Sequence, residues 1–235
     1  MLEDLERLLK ERGIPFHREG NRLRCFPHVV NISVTHGLSA LTQEAAADPA
    51  YADALQNDPV KRARQLVTAC RASGLRREAF AKTITEGNES GAFGEGKQLR
   101  QVQLLRDVST RWSSTFLMID RLLELYPVCT HFALSEDIEQ YLLEDAELSA
   151  LHDIREFLYL PHLVQELLSS EQTPTASQAL PAYERLLRML KLAKVKHPKI
   201  SHAICASVTA LEKYMQKTRQ TRVYALAMGK LPVFF

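Results

Sequence analysis

Apolar residues recur at three- and four-residue spacing through most of this chain, and that spacing predicts α-helices. The first helix is marked by four leucines, and Gly13 followed by Pro15 ends it with a left-handed cap and a helix breaker. Similar patterns, separated by proline or glycine, predict helices over Pro27 to Leu41, Tyr51 to Leu55, Val60 to Ser73, Leu75 to Ile84, Ile138 to Leu143, Leu148 to Tyr159, Pro161 to Ser169, Ala182 to Lys194 and Ile200 to Thr218. One more helix is predicted after Ser109 or Thr110, with an apolar face from Phe116 to Tyr126. The sequence therefore predicts a mainly α fold, arranged as a helical array.

Two stretches depart from the helical pattern. Ile14 to Arg18 and Arg22 to Phe26 are extended candidates on either side of a turn at Glu19 to Asn21, and they predict a β-hairpin near the N-terminus. The glycine-rich tract from Glu86 to Gly96 has no apolar periodicity and predicts a loop. This tract lacks the Lys-Ser/Thr ending of a phosphate-binding loop and follows no strand, so it does not predict a nucleotide site of that kind.

The composition fits a globular protein that remains inside the cell. Hydrophobic residues make up 46% of the 235 residues and the formal net charge is +2, which is enough apolar material for a core. No apolar run approaches the roughly 18 residues that a membrane span needs, and the charged amphipathic N-terminus is unlike a signal sequence. The four cysteines are scattered without paired spacing, as in proteins of reducing compartments.

The near-neutral total charge conceals segregated charges. Basic residues dominate from Lys61 to Lys82, where Glu78 is the one acid, and from Arg185 to Arg222, where Glu212 is the one acid. Acids dominate from residue 136 to residue 171, opposed there by Arg155 alone. Two interpretations stay open at this point: solvated helix faces that pair with each other, or a surface that binds a polyanion.

The stretch from Arg106 to Asp120 holds the single tryptophan of the chain, Trp112, next to Arg111. Ser109 or Thr110 can cap the helix that follows, which places Trp112 in the first helical turn. A tryptophan in this position either packs into the core or presents an aromatic plate beside a cation, the arrangement that holds an unstacked base. The pattern alone does not decide between these alternatives.

Cys25 and His28 have the spacing of a zinc-ligand pair. No second Cys or His pair follows at the spacing of a zinc finger, so the sequence predicts neither a metal site nor a cofactor.

Three segments together resemble the hAT superfamily of DNA transposases. RCFPHVVNI, from Arg24 to Ile32, resembles the Cys-x-x-His segment of that family, and DVSTRWSSTFLMIDR, from Asp107 to Arg121, resembles its Arg-Trp segment. The stretch from Leu180 to Pro232 is similar to a third, C-terminal segment. The three occur in family order and span nearly the whole chain.

The resemblance implies an RNase H-like catalytic region with an inserted α-helical domain. It divides the chain into an RNase H-like remnant with the hairpin (residues 1–42), a helical insertion-type domain (43–222) and a truncated return toward the RNase H-like core (223–235). It further implies that His28 lies near DNA, that Cys25 is buried and that Trp112 stands at the surface beside Arg111. With the first basic segment, the predicted DNA-binding residues are Arg111, Trp112, His28, Lys61, Arg62, Arg64, Arg71, Arg76 and Arg77.

Enzymes of this superfamily cut DNA with two metal ions held by three carboxylates. Glu3, Asp4 and Asp107 are available acids, but none occupies a matching position, and the chain is expected to begin after the second family carboxylate and to end before the third. The sequence therefore predicts a transposase-derived protein without catalytic residues, metal or cofactor.

The expected partners of this protein are DNA, bound weakly and salt-dependently, and either a second copy or an intact transposase. No membrane association is expected, and the expected location is nuclear or cytoplasmic. The alternatives are a helical interaction protein or relic with no nucleic-acid role, and an incomplete gene model of an active transposase.

Overall fold

The computed structural model describes residues 1–22, 25–43, 48–108, 111–169, 176–222 and residue 226. Within these ranges the regular structure is helical, which confirms the predicted mainly α fold. The α-helices are α1 (Leu2–Glu11), α2 (Phe26–Ala40), α3 (Pro49–Gln56), α4 (Pro59–Cys70), α5 (Gly74–Ser90), α6 (Trp112–Glu124), α7 (Tyr126–Glu136), α8 (Asp145–Ser169), α9 (Ala176–Lys196) and α10 (Ser201–Arg219), and short 3-10 helices cover Glu139–Tyr141 and Pro198–Ile200. No helix in the described ranges has the length and apolar content needed to cross a bilayer.

The chain forms two compact units. The terminal unit comprises Met1–Ala40 and Leu160–Phe235, and the central unit comprises Leu41–Tyr159. The domain boundaries predicted at residues 42 and 222 separate parts of the chain that resemble different regions of the family, whereas the two units are defined by packing. These boundaries stay predictions.

In the terminal unit, α10 packs against α2 and α9. The apolar stripe predicted after Pro27 is buried, with Val30 and Val34 facing the core. At its centre, the buried hydroxyl of Ser33 donates to the backbone carbonyl of Ser207 over 2.8 Å. This bond satisfies a polar group that would otherwise be buried without a partner, so it fixes the register of α2 against α10.

In the central unit, α4 contacts α3, α5, α6, α7 and the 3-10 helix Glu139–Tyr141. Asp58 starts α4 from a left-handed conformation (φ 53°), and its side chain accepts a hydrogen bond from the backbone N–H of Lys61. Ser73 caps α5 in the same way through the N–H of Arg76. Phe80 of α5 and Phe132 of α7 meet edge to face, with ring centroids 5.2 Å apart, which joins these two helices through the core.

The predicted β-hairpin is wrong as far as the described residues go. Residues 14–17 have no regular structure, residues 18–21 form a turn, and α2 already begins at Phe26; Leu23 and Arg24 lie outside the described residues. Side chains replace the expected ladder: the ring of His17 accepts from the N–H of Gly20, and Arg18 pairs with Glu3 and Glu6 of α1. Local side-chain bonds therefore compete successfully with strand pairing in this segment.

The loop predicted over Glu86 to Gly96 is wrong for its first five residues, because α5 continues to Ser90. Gly91 then ends the helix in the left-handed conformation (φ +71°) that glycine adopts without strain. Gly87 has a packing role: a Cβ atom at this position would lie 2.2 Å from a ring carbon of Phe93. Gly87 leaves room for the Phe93 ring to pack against the helix. Gly87 breaks the apolar periodicity of the sequence, but α5 continues through it.

Candidate nucleic-acid interface

An extended segment crosses the central unit between α5 and α6. We name residues 97–108 the strap; it contains no helix or strand. At its first end, Asn88 of α5 donates to the carbonyl of Leu99 and accepts from its N–H, both over 2.8 Å. In its middle, Arg121 of α6 donates to the carbonyl of Gln103 over 3.0 Å. Side chains of the flanking helices thus take the place of strand neighbours for this backbone.

The other end of the strap is anchored by a buried carboxylate. The side chain of Asp107 is 6% exposed, and its Oδ2 atom accepts hydrogen bonds from Arg64 Nε and Thr115 Oγ1, both over 2.8 Å. The charge of Arg64 and the two hydrogen bonds to Oδ2 offset the cost of burying this carboxylate. Asp107, one of the three available acids, is therefore occupied by structural contacts. Glu3, another of the three, forms an ion pair with Arg18.

Trp112 is the first residue of α6, as predicted, but its side chain is 5% exposed. The expectation that its ring stands at the surface is wrong, because the helix begins with this residue on the face that also buries Phe116 and Ile119. The preceding residue, Arg111, is exposed, and its side chain forms no ion pair within the described residues. Ser109 and Thr110, the predicted caps, lie outside those residues. Arg111 stands at the N-cap position of α6 and forms no side-chain cap hydrogen bond there.

Three of the predicted DNA-binding arginines are paired with carboxylates far away in sequence. Arg62 lies 3.0 Å from Glu147, Arg64 2.8 Å from Asp107 and Arg76 3.2 Å from Glu136. For these three, the structure favours the interpretation as helix faces that pair with each other.

The second basic segment, in the terminal unit, also contains such pairs. Lys191 lies 2.7 Å from Glu212, and Arg219 lies 2.8 Å from Glu184. Both pairs are largely exposed and contribute little to stability. They nevertheless neutralise part of the positive charge that the sequence places there.

Three other arginines, at the end of α4, on α5 and on the strap, have no carboxylate partner in the described part of the chain. Arg71 donates to the carbonyl of Leu104 over 2.7 Å, Arg106 donates to the carbonyl of Arg71 over 3.4 Å, and Arg77 donates to the carbonyl of Ser73 over 3.4 Å. Partial burial, followed by the charges of Arg106 and Arg77, lowers the pKa of Arg71. We name Arg71, Arg77 and Arg106 the arginine cluster; within the described ranges none of them forms an ion pair.

The remaining predicted residues are spread over the two units. Lys61 is exposed on α4 of the central unit. His28 lies in the first turn of α2 in the terminal unit and is exposed, which leaves its predicted proximity to DNA a prediction. The expected burial of Cys25 is wrong, because this thiol is exposed just before α2 begins. Within the ranges that the structure describes, no group of three or more His, Cys, Asp or Glu side chains could hold a metal ion.

Sequence reasoning missed Arg106, whose role depends on the path of the strap. A signal was present, since Arg106 ends a run of seven residues, Arg100 to Arg106, that contains no acid. The sequence does not show that the strap brings Arg106 into contact with Arg71, at the end of α4.

Comparison with known proteins gives one family. The model of the ZBED1 RNase-like helical domain matches residues 23–157, which is more than half of the chain and includes most of the central unit. Neither the curated proteins nor the solved structures provide a match.

Proposed function

The chain belongs to the ZBED1 RNase-like helical domain family, and on that premise we propose that it is a transposase-derived protein that binds DNA through the arginine cluster and does not cleave it. The cluster is the observation that carries this proposal. The charges of Arg106 and Arg77 act on the guanidinium of Arg71, and the three side chains donate hydrogen bonds to neutral carbonyl groups. A bound phosphate would supply the negative charge that no ion pair within the described residues supplies to these arginines.

Electrostatic interactions within the central unit favour Arg71, Arg77 and Arg106 as the sites of phosphate contact over the arginines that already have carboxylate partners. Partial burial, and then repulsion from Arg106 and Arg77, disfavours the charged form of Arg71 and lowers its pKa, and an approaching phosphate relieves that penalty. Arg62 and Arg76 already have carboxylate partners at 3.0 and 3.2 Å, so a phosphate would have to compete with Glu147 and Glu136. We therefore place the main phosphate contacts at Arg71, Arg77 and Arg106, with exposed Arg111 and Lys61 as further candidates.

The binding experiment measures affinity for a short duplex by fluorescence anisotropy across a range of salt concentrations. Three phosphate contacts correspond to a slope of about −3 in the plot of log K against log salt. Arg77→Glu combined with Arg106→Glu should weaken binding more than tenfold and flatten the slope. The matched control is Arg7→Glu combined with Lys82→Glu, which makes the same net-charge change at exposed cations paired within their own helices.

If the control weakens binding as much as the cluster variant does, overall charge rather than the cluster governs the interaction. Binding that does not depend on salt, or no binding at all, would favour the alternative of a helical interaction protein.

The absence of cleavage is proposed from the engagement of the acids. Asp107 is buried against Arg64 and Thr115, and a two-metal site needs carboxylates that are free to bind cations. We expect no nicking or strand transfer with magnesium or manganese. Metal-dependent cleavage that survives repurification and disappears in Glu3→Gln, Asp4→Asn or Asp107→Asn would overturn this part of the proposal. An intact transposase, assayed in a separate reaction under the same conditions, serves as the positive control.

A further inference from the structure

A groove of about 510 Å³ runs along the exposed side of α4 in the central unit. Lys61, Gln65 and Thr68 form one stripe of α4 along it, Ala72 continues the stripe, and Tyr141 of the 3-10 helix lines it as well. The volume lies within the range of small-molecule sites. The groove does not include the arginine cluster.

Four polar side chains of the groove have no hydrogen-bond partner among the residues that the structure describes. The amine of Lys61, the amide of Gln65 and the hydroxyl of Thr68 form no hydrogen bonds to other residues in the described ranges, and the same holds for the phenol of Tyr141. Their donors and acceptors are therefore available to a ligand. The small side chains of Ala69 and Ala72 leave room beside them.

Two further lining residues are held in place by acids outside the groove. Arg64 uses its Nε atom for Asp107, and Arg76 uses its Nε atom for Glu136. No hydrogen bond within the described residues occupies the Nη atoms of Arg64. A guanidinium fixed in this way is oriented before a ligand arrives, which lowers the entropic cost of binding an anion.

We propose that this groove binds one unpaired nucleotide, with its base against the ring of Tyr141 and its phosphate on Lys61 and Arg64. The lining offers an aromatic ring, neutral hydrogen-bonding groups and cations, the three kinds of contact that a base, a sugar and a phosphate require. The proposal rests on the proposed DNA binding, to which it adds a second site separate from the arginine cluster. The nucleotide is either free or part of a single strand, and the test distinguishes these sources.

The test measures the affinity of a short single-stranded oligonucleotide for the full chain and three tyrosine variants. Tyr141→Ala should weaken binding about five- to 150-fold, the range expected for the loss of one stacked base, whereas Tyr141→Phe should stay within about twofold. Tyr159→Ala is the matched control: Tyr159 is 39% exposed in the same unit and also lies beside an arginine, Arg155, 5.8 Å from its ring. It should leave affinity unchanged. Thermal melting of each variant checks that it is folded.

A second oligonucleotide, with abasic residues in place of its bases, separates base stacking from phosphate contact. If Tyr141 holds a base, the abasic strand binds the native chain and Tyr141→Ala equally. Deoxyadenosine monophosphate, followed by NMR chemical-shift changes, is the free-nucleotide probe. Binding of this probe without binding of single strands would overturn the strand as the source and leave the free nucleotide.

Failure of the groove and failure of the proposed function have different signatures. If single strands bind with salt dependence through the arginine cluster but Tyr141→Ala behaves as Tyr159→Ala does, the groove proposal is overturned and DNA binding stands. If neither the single strands nor the mononucleotide bind while the duplex does, the groove proposal alone is overturned; if the duplex also fails to bind, both proposals are overturned.

Discussion

Asn88 and Leu99 exchange two hydrogen bonds, because the side-chain amide of Asn88 donates to the carbonyl of Leu99 and accepts from its N–H, each over 2.8 Å. The pattern reproduces what a neighbouring β-strand would offer to that residue, although the partner is a helix side chain. This pair sets the position at which the strap leaves α5. The strap in turn positions Arg106 and Asp107, so the proposed DNA-binding face depends on an amide some distance from it.

We expect Asn88→Ala to lower the free energy of unfolding by about 1 to 3 kcal/mol, because it leaves the part-buried Leu99 backbone groups without a partner. Asn88→Asp should also destabilise, since the carboxylate retains the acceptor but cannot donate to the Leu99 carbonyl. Urea unfolding followed by circular dichroism measures the change. Asn57→Ala is the control at an exposed asparagine and should cost less than about 0.5 kcal/mol; equal losses in the two alanine variants would contradict this account.

Gly87 and Phe93 provide a second test of the same region. Gly87→Ala should destabilise the chain by about 1 to 3 kcal/mol, because the added Cβ would lie 2.2 Å from the Phe93 ring and force it away. If the clash is the cause, adding Phe93→Ala should remove most of the penalty, since the ring is then gone. A double-mutant cycle of thermal unfolding measures this coupling. Independent effects of the two substitutions would mean that the ring can move aside at little cost.

The sequence predicts what is local and misses what depends on partners far away. Gly13 ends α1 with φ +71°, as the Gly and Pro pattern predicted, because a helix stop is decided within a few residues. The pairing of Arg62 with Glu147, 85 residues apart, left the basic segment open to two interpretations until the structure was available. The strap could not be predicted for the same reason, since Arg71 reaches Leu104 across 33 residues. The burial of the Trp112 side chain also depends on tertiary packing, which its position in the helix does not determine.

Tyr51 should make stability fall at alkaline pH. Its hydroxyl donates to Asp153 over 2.7 Å, and burial, then this hydrogen bond and the nearby negative charge, raise the pKa of Tyr51 well above its ordinary value near 10. Since the unfolded chain loses this proton above about pH 10 while the folded chain keeps it, the contribution is complete below that pH and decreases as pH rises. The decrease has a limiting slope of about 1.4 kcal/mol per pH unit.

The measurement for Tyr51 is urea unfolding at several values between pH 9 and pH 11. Tyr51→Phe should flatten the alkaline decrease, because the ionising group is gone, although it is expected to be less stable at neutral pH. A parallel decrease in the native and variant chains would show that other groups cause it.

The four cysteines should differ sharply in reactivity toward a thiol reagent. Cys25 is exposed, whereas Cys70 and Cys129 are buried in the central unit. Contact with the Cys70 thiol, followed by burial, raises the pKa of Cys129 well above its ordinary value, so the reactive thiolate is scarce there. We expect Cys25→Ser to remove the fastest phase of labelling with Ellman's reagent. Cys70 and Cys129 should react only at the rate of unfolding, and rapid labelling of either in the native chain would contradict their burial.

Trp112 gives the most direct test of the structure, because sequence resemblance placed its ring at the surface and the structure buries it with Phe116 and Ile119. Trp112→Ala should cost about 3 to 5 kcal/mol of stability, the usual cost of truncating a large buried aromatic side chain, and Trp112→Phe should cost less. As Trp112 is the only tryptophan, the intrinsic emission of the native chain reports on this site alone. We expect that emission to be blue-shifted and unchanged in wavelength when DNA binds. A red-shifted emission quenched by single-stranded DNA, with a melting temperature nearly unchanged in Trp112→Ala, would instead show that the ring leaves the core to stack on a base.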